Sequence, residues 1–207
     1  EALAIDRSAG DLALLLDALE AVLSAAVEVS GDYARAEALN REAIDVAGRA
    51  GNLVKLARAQ LNLGYLLREI GRLDEVEGPL LAAREAAEAC GDARDAAWTR
   101  AVEAIAASVR GNVDLARERI GEWWAPLAHV DITSVPYVEE VTGIVDGYVA
   151  MGEGRDTEAA AILAAAQRSV RDERLSVWFG QVLLFECAAA SVRAGRPADA
   201  RLARDRL

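Results

Sequence analysis

The chain has 207 residues with 23 basic and 34 acidic side chains, and a net charge of −11 repels nucleic-acid phosphates. Hydrophobic residues make up 53% but aromatics only 5%, and four prolines interrupt the chain, a composition of helix-forming Ala and Leu with Val. One histidine and two isolated cysteines exclude HExxH zinc sites, two-histidine metal clusters and CxxC motifs.

Residues 1–10 read like the end of a helix, and EALAIDRSAGD is echoed by EAIDVAGRAGN from Glu42 to Asn52. The chain closes at Leu207 inside another helical pattern, so both ends are expected to cut through repeats of a longer array. Apolar stacking faces left uncapped at such ends offer a route to self-association.

Glycines recur at Gly31, Gly71 and Gly111, forty residues apart, and continue at Gly154 and Gly195. Seven residues before each lies a small residue: Ser24, Gly64, Ala104, Gly147 and Ala188. Five after come Ala36, Val76, Ala116, Ala159 and Ala200; twelve after come Ala43, Ala83, Trp123, Ala166 and Leu207. Small residues at fixed offsets around a glycine predict two helices meeting closely, with the glycine ending the first in a left-handed cap. A second series, Gly10-Asp11, Gly51-Asn52 and Gly91-Asp92, predicts the return turns, with Asp or Asn capping the next helix. Helix, turn, helix, turn at this period predicts stacked hairpins. Their expected bounds are 11–51, 52–91, 92–133, 134–173 and 174–207.

Two places break the pattern. Gly78-Pro79 falls inside a second helix, where proline predicts a kink or a restart. GEWWAPLAHVDITSVPYVEE, with Pro126 and Pro136, reads as an irregular loop, with Ser134 placed to cap the next helix. It carries His129 beside Trp123 and Trp124, which either close over a ligand or fill the gap in the stacking. Cys90 and Cys187 sit in helical patterns and read as buried thiols of a reducing cytoplasm. No apolar run approaches the ~18 residues of a membrane span. The basic cluster Arg193, Arg196, Arg201, Arg204 and Arg206 is diluted by Asp199 and Asp205 and reads as a solvated helix face. Lys55 lacks phosphate-loop spacing, and neither GxSxG nor a strand-borne GxGxxG occurs. No enzyme and no cofactor are expected. The competing enzyme reading demands two buried acids in a pocket near His129.

Leu63-Gly64, Gly71, Leu80 and Ala83, and likewise Gly31, Tyr33, Ala36 and Ala43, resemble the tetratricopeptide-repeat (TPR) pattern. The period exceeds that family's usual length and the proline ending its second helix is missing. Long-period versions are similar to the sensor arms of bacterial signal-transduction ATPases and LuxR/MalT-type transcription regulators. The resemblance implies an all-α right-handed superhelix (a solenoid) of about five hairpins, acting without catalysis as an interaction or effector-sensing arm. A free-standing adaptor is the alternative.

It also implies a groove lined by first helices. Carried over by offset from the capping glycine, the lining is Ala18, Ala21, Ala25 and Glu28, then Arg58, Leu61, Tyr65, Arg68 and Glu69. Next come Trp98, Ala101, Ile105 and Ser108; Val141, Ile144, Tyr148 and Met151; and Val182, Phe185, Ala189, Val192 and Arg193. Arg58 and Asn62 match one fragment of the family's two-carboxylate clamp, which neighbouring repeats do not complete. An apolar peptide or helix, or a small apolar effector, is therefore expected, with arginine reading an acidic group. The same residues serve equally to pack one hairpin on the next.

Overall fold

The computed structural model describes residues 11–28, 30–123, 125–129, 138–169 and 187–204, and among these all regular structure is helical. The helices are α1 (Leu12–Glu28), α2 (Tyr33–Ala50), α3 (Leu53–Glu69), α4 (Glu77–Cys90), α5 (Ala93–Val109), α6 (Val113–Trp123), α7 (Val138–Gly152), α8 (Asp156–Ser169) and α9 (Pro197–Arg204). Residues 187–193 are helical as well. The all-α class read from composition is the class observed.

The turns form where the glycines fall. Gly31, Gly51, Gly71, Gly91, Gly111, Gly154 and Gly195 all take positive φ, between 60° and 78°. At Gly51 the reason is visible: its N–H turns back to the Ala47 and Gly48 carbonyls, a left-handed closure that strains any residue with a Cβ. The next residue then starts a helix. Asp11, Asp32, Asn52, Asp92 and Asn112 each accept a backbone N–H of the following turn, at 2.9 to 3.3 Å. Gly10 lies outside the described residues.

The packing offsets hold too. Ala36, Val76, Ala116, Ala159 and Ala200 are all buried, as are Ala43, Ala83, Trp123 and Ala166; Leu207 lies outside the described residues. A Cβ on Gly64 would fall 2.5 Å from Leu80 Cδ2, and one on Gly147 would fall 2.6 Å from Leu163 Cγ. In both hairpins a glycine seven residues before the turn receives a leucine nine residues after it.

Pro79 does not kink a helix. The chain makes a 3₁₀ turn at Leu73–Glu75, and α4 begins only at Glu77. Pro79 thus sits in a first turn, where the missing N–H has no intrahelical partner to lose.

Contacts divide the chain into two compact units at Val102/Glu103, within α5. In the N-terminal unit α1 packs on α2, α2 on α3 and α3 on α4. Its largest core gathers Leu15, Leu16 and Leu19 of α1 with Leu39, Ala43 and Val46 of α2 and Leu66 of α3. In the C-terminal unit α7 packs on α6 and α8, and Ala107, Ala116 and Val149 share a core. No helix among the described residues is long and apolar enough to cross a membrane. Cys187 is buried and Cys90 half-buried, its thiol donating to the Ala87 carbonyl at 3.4 Å; neither is in a disulfide.

Candidate functional site

The first-helix residues divide sharply by exposure. Leu61, Arg68, Ala101, Ile105, Ser108, Ile144, Tyr148 and Met151 are nine-tenths or more buried. Arg58, Tyr65, Trp98 and Ala18 are half-buried, and Ala21, Ala25, Glu69, Val192 and Arg193 are exposed. The side chains of Glu28 and Val141, together with Val182 and Phe185, lie outside the described residues. Helical periodicity sets which residues share a face. Whether that face meets solvent depends on how closely its neighbours pack, which periodicity does not set.

The three arginines expected to read a ligand's acidic group hold partners of their own. Arg58 grips Asp95 with both arms of its fork, Nε to Oδ2 at 3.1 Å and Nη2 to Oδ1 at 3.1 Å, across 37 residues. Burial pushes the Asp95 carboxyl above its ordinary pKa; Arg58 opposes that rise and Asp92 adds to it. Arg193 donates to Asp156 Oδ1 at 2.8 Å and to the Met151 carbonyl at 3.0 Å. Arg68, almost wholly buried, pairs with Glu69 and lies over the Tyr65 ring, 4.5 Å from its centroid. With these charges matched internally, none of the three offers a vacant cation to a carboxylate.

A narrow cleft opens in the N-terminal unit among α1, α2 and α3. Leu16, Leu19 and Leu23 of α1, Ala43 of α2 and Ala59 of α3 give it apolar walls. Its polar lining is Glu20, Asn40, Lys55 and Asn62. Lys55 Nζ donates to Asp17 Oδ1 and Glu20 Oε2, both at 2.8 Å. Burial works against this ammonium, but the two carboxylates outweigh it and hold its pKa above the ordinary value. Two carboxylates against one ammonium leave this side of the cleft with one net negative charge.

Asn40 was not among the expected site residues. It is 3% exposed and lines the cleft. Its signal lay in the repeat: nine residues after Gly71, Gly111 and Gly154 stand Leu80, Ile120 and Leu163, whereas nine after Gly31 and Gly195 stand Asn40 and Arg204.

No protein-family model matches the sequence, and no curated protein matches it. Among solved structures, the chain is similar to "Crystal structure of BtubC (BKLC) from P. vanneervenii", with a TM-score of 0.56 and 18% identity. The match covers 94% of this chain and 76% of that one. At such identity the likeness is one of fold.

The region of Trp123 and His129 forms no site in its described part. Trp123 is 3% exposed, packed at the offset where other hairpins place alanine, and a 3₁₀ turn follows at Ala125–Leu127. His129 is exposed. Trp124, Ser134 and Pro136 lie outside the described residues. Among the described residues no three His, Cys, Asp or Glu side chains gather to hold a metal.

Proposed function

We propose that this chain is a non-catalytic interaction module: a right-handed solenoid of TPR-like hairpins that binds a peptide segment of a partner protein along its first helices. Its place would be as the arm of a larger bacterial regulator, the setting of the long-period arrays that the sequence resembles. The observation that carries the binding reading is the pair Tyr65 and Trp98. They are large aromatics on the successive first helices α3 and α5, each only partly buried where most of the face is closed. Such residues supply contact area at small entropic cost and are enriched at the centres of protein interfaces. The arginine pairs refine the expected ligand. Because Arg58, Arg68 and Arg193 are matched by the chain's own acceptors, and the net charge is −11, a basic or neutral peptide fits better than an acidic one.

Selection from a displayed library of random 12-residue peptides tests this reading. Wild-type protein should enrich a common motif, and Tyr65→Ser or Trp98→Ser should weaken the synthesised peptide's binding at least about tenfold in calorimetry, the size of one lost interface anchor. Far-ultraviolet circular dichroism should stay that of the wild type. Selection without enrichment would sink the proposal, as would cooperative unfolding lost in both variants.

A further inference from the structure

The Arg58–Asp95 pair breaks the repeat on both sides. Thirteen residues before the capping glycines stand Ala18, Arg58, Trp98, Val141 and Val182; sixteen before stand Leu15, Lys55, Asp95, Val138 and Phe179. Arg58 is the only charged residue at its register and Asp95 the only acid at its own. A buried ion pair is no firmer than well-packed apolar residues of similar volume, and its best-attested uses are register and switching. The two partners are buried unequally, with 38% of the Arg58 side chain exposed against 6% of Asp95. The inner edge of the guanidinium, Nε and Nη2, holds the carboxylate at 3.0 to 3.1 Å. Nη1 donates to no described residue, so the outer edge keeps donors for a second acceptor. Arg58 lies two turns before Tyr65 on α3, and Asp95 one turn before Trp98 on α5, so the pair borders the aromatic surface. Burial raises the Asp95 pKa, with Arg58 and Arg94 opposing and Asp92 adding to the rise. Other charges nearby are already matched: Lys55 of α3 by Asp17 and Glu20, and Glu88 of α4 by Arg100. Between α3, α4 and α5 the packing is alanine, Ala57 with Ala86, Ala87 and Ala96.

We propose that Asp95 is a proton-operated gate on Arg58. While the Asp95 carboxylate is charged, the pair is neutral and the outer edge of the guanidinium has little hold on an anion. Once Asp95 takes a proton, the Arg58 charge is uncompensated, and that edge binds a Glu or Asp carboxylate of the partner peptide. Acid thus turns the surface from basic or neutral segments towards acidic ones. This rests on the peptide-binding reading above and adds its regulation.

The test repeats the selection of displayed 12-residue peptides at pH 7 with the wild type and with Asp95→Asn, which carries the neutral form at any pH. Asp95→Asn should enrich Glu or Asp at a fixed position where the wild type does not. That peptide and its Gln counterpart are then compared by calorimetry at pH 7 and pH 5. A peptide Glu, with an ordinary pKa of about 4.3, stays mostly charged at pH 5. The wild type should prefer Glu over Gln at least about fivefold more at pH 5 than at pH 7, whereas Asp95→Asn should prefer it equally at both. Adding Arg58→Met to Asp95→Asn should abolish the preference. Should Asp95→Asn lose cooperative unfolding, wild type selected at pH 5 takes its place, with the same motif expected. Peptides enriched without an acid, or a wild-type preference unchanged by pH, overturn the gate and leave the aromatic surface standing. A preference that survives Arg58→Met overturns it too, because the acid is then read elsewhere. No enriched peptide from any of these proteins removes both readings.

Discussion

Two helical hairpins of the N-terminal unit are built to one plan and finished differently. Between α3 and α4, Gly64 and Leu80 interlock so closely that a Cβ on the glycine would stand 2.5 Å from Leu80 Cδ2. Between α1 and α2 the same two offsets carry Ser24, which is exposed, and Asn40, which is buried against a cleft. The C-terminal unit repeats the first solution with Gly147 and Leu163. A repeat therefore supplies its own control. The tight joint is what stability asks for, and at Asn40 a polar side chain beside a cleft stands where Leu80 and Leu163 stand in the tight joints.

Breaking the leucine joints should produce the largest effect. Leu80→Ala and Leu163→Ala each empty a site exposed by 1% or less and should cost about 3 kcal/mol in urea unfolding. Asn40→Ala, at the same register, should move stability by about 1 kcal/mol or less, because the side chain lost carries fewer apolar groups and borders a cleft. Equal losses at all three positions would show that Asn40 packs as leucine does and would dissolve the contrast. A smaller effect sharpens the tight joint of α7 and α8. A Cβ on Gly143 would stand 2.4 Å from Ala166 Cβ and 3.5 Å from its Cα, so the helix backbones must part. Gly143→Ala should thus lose about 1 kcal/mol net, overpacking exceeding the gain in helix propensity. Gly48→Ala, in α2 with nothing within 4 Å of the added methyl, should instead gain up to about 1 kcal/mol. A gain at both positions would mean that α7 and α8 separate without resistance.

The difference between the turns and the site explains what was legible in the sequence. Left-handed glycines and their Asp or Asn followers answer to local backbone geometry, so Gly51-Asn52 or Gly91-Asp92 can be read from two letters. Burial at offsets such as Ala36 or Ala83 follows because each hairpin repeats its neighbour. Exposure of the first helices is a property of assembly. Leu61 and Tyr65 share a face, yet one is buried and the other only partly so. The Arg58–Asp95 pair joins residues 37 apart, and no spacing rule announces it. Asn40 is legible in the repeat, since the residues nine after the glycines are Leu80, Ile120 and Leu163 in three units and polar only at Asn40 and Arg204. The groove that the resemblance implies is lined by first helices, whereas Asn40 belongs to a second.

Asp95 supplies the last and smallest contrast: a buried polar group that ionises. It is 4% exposed and doubly bonded to Arg58, while Asn40 is a neutral amide. Burial nonetheless leaves the Asp95 carboxyl with a pKa above its ordinary 3.8, so the folded state holds its proton more tightly than the unfolded chain does. Its favourable contribution is then complete below the unfolded value and fades as pH rises through the higher folded value. Measured against Asp95→Asn, which cannot titrate there, wild-type stability should fall between pH 3 and pH 7. The same difference taken between wild type and Asn40→Leu should stay level over that range, because neither side chain ionises. If the Asp95 difference rose with pH instead, the Arg58 fork would outweigh burial, and the paired carboxylate would stabilise the hairpins most when charged.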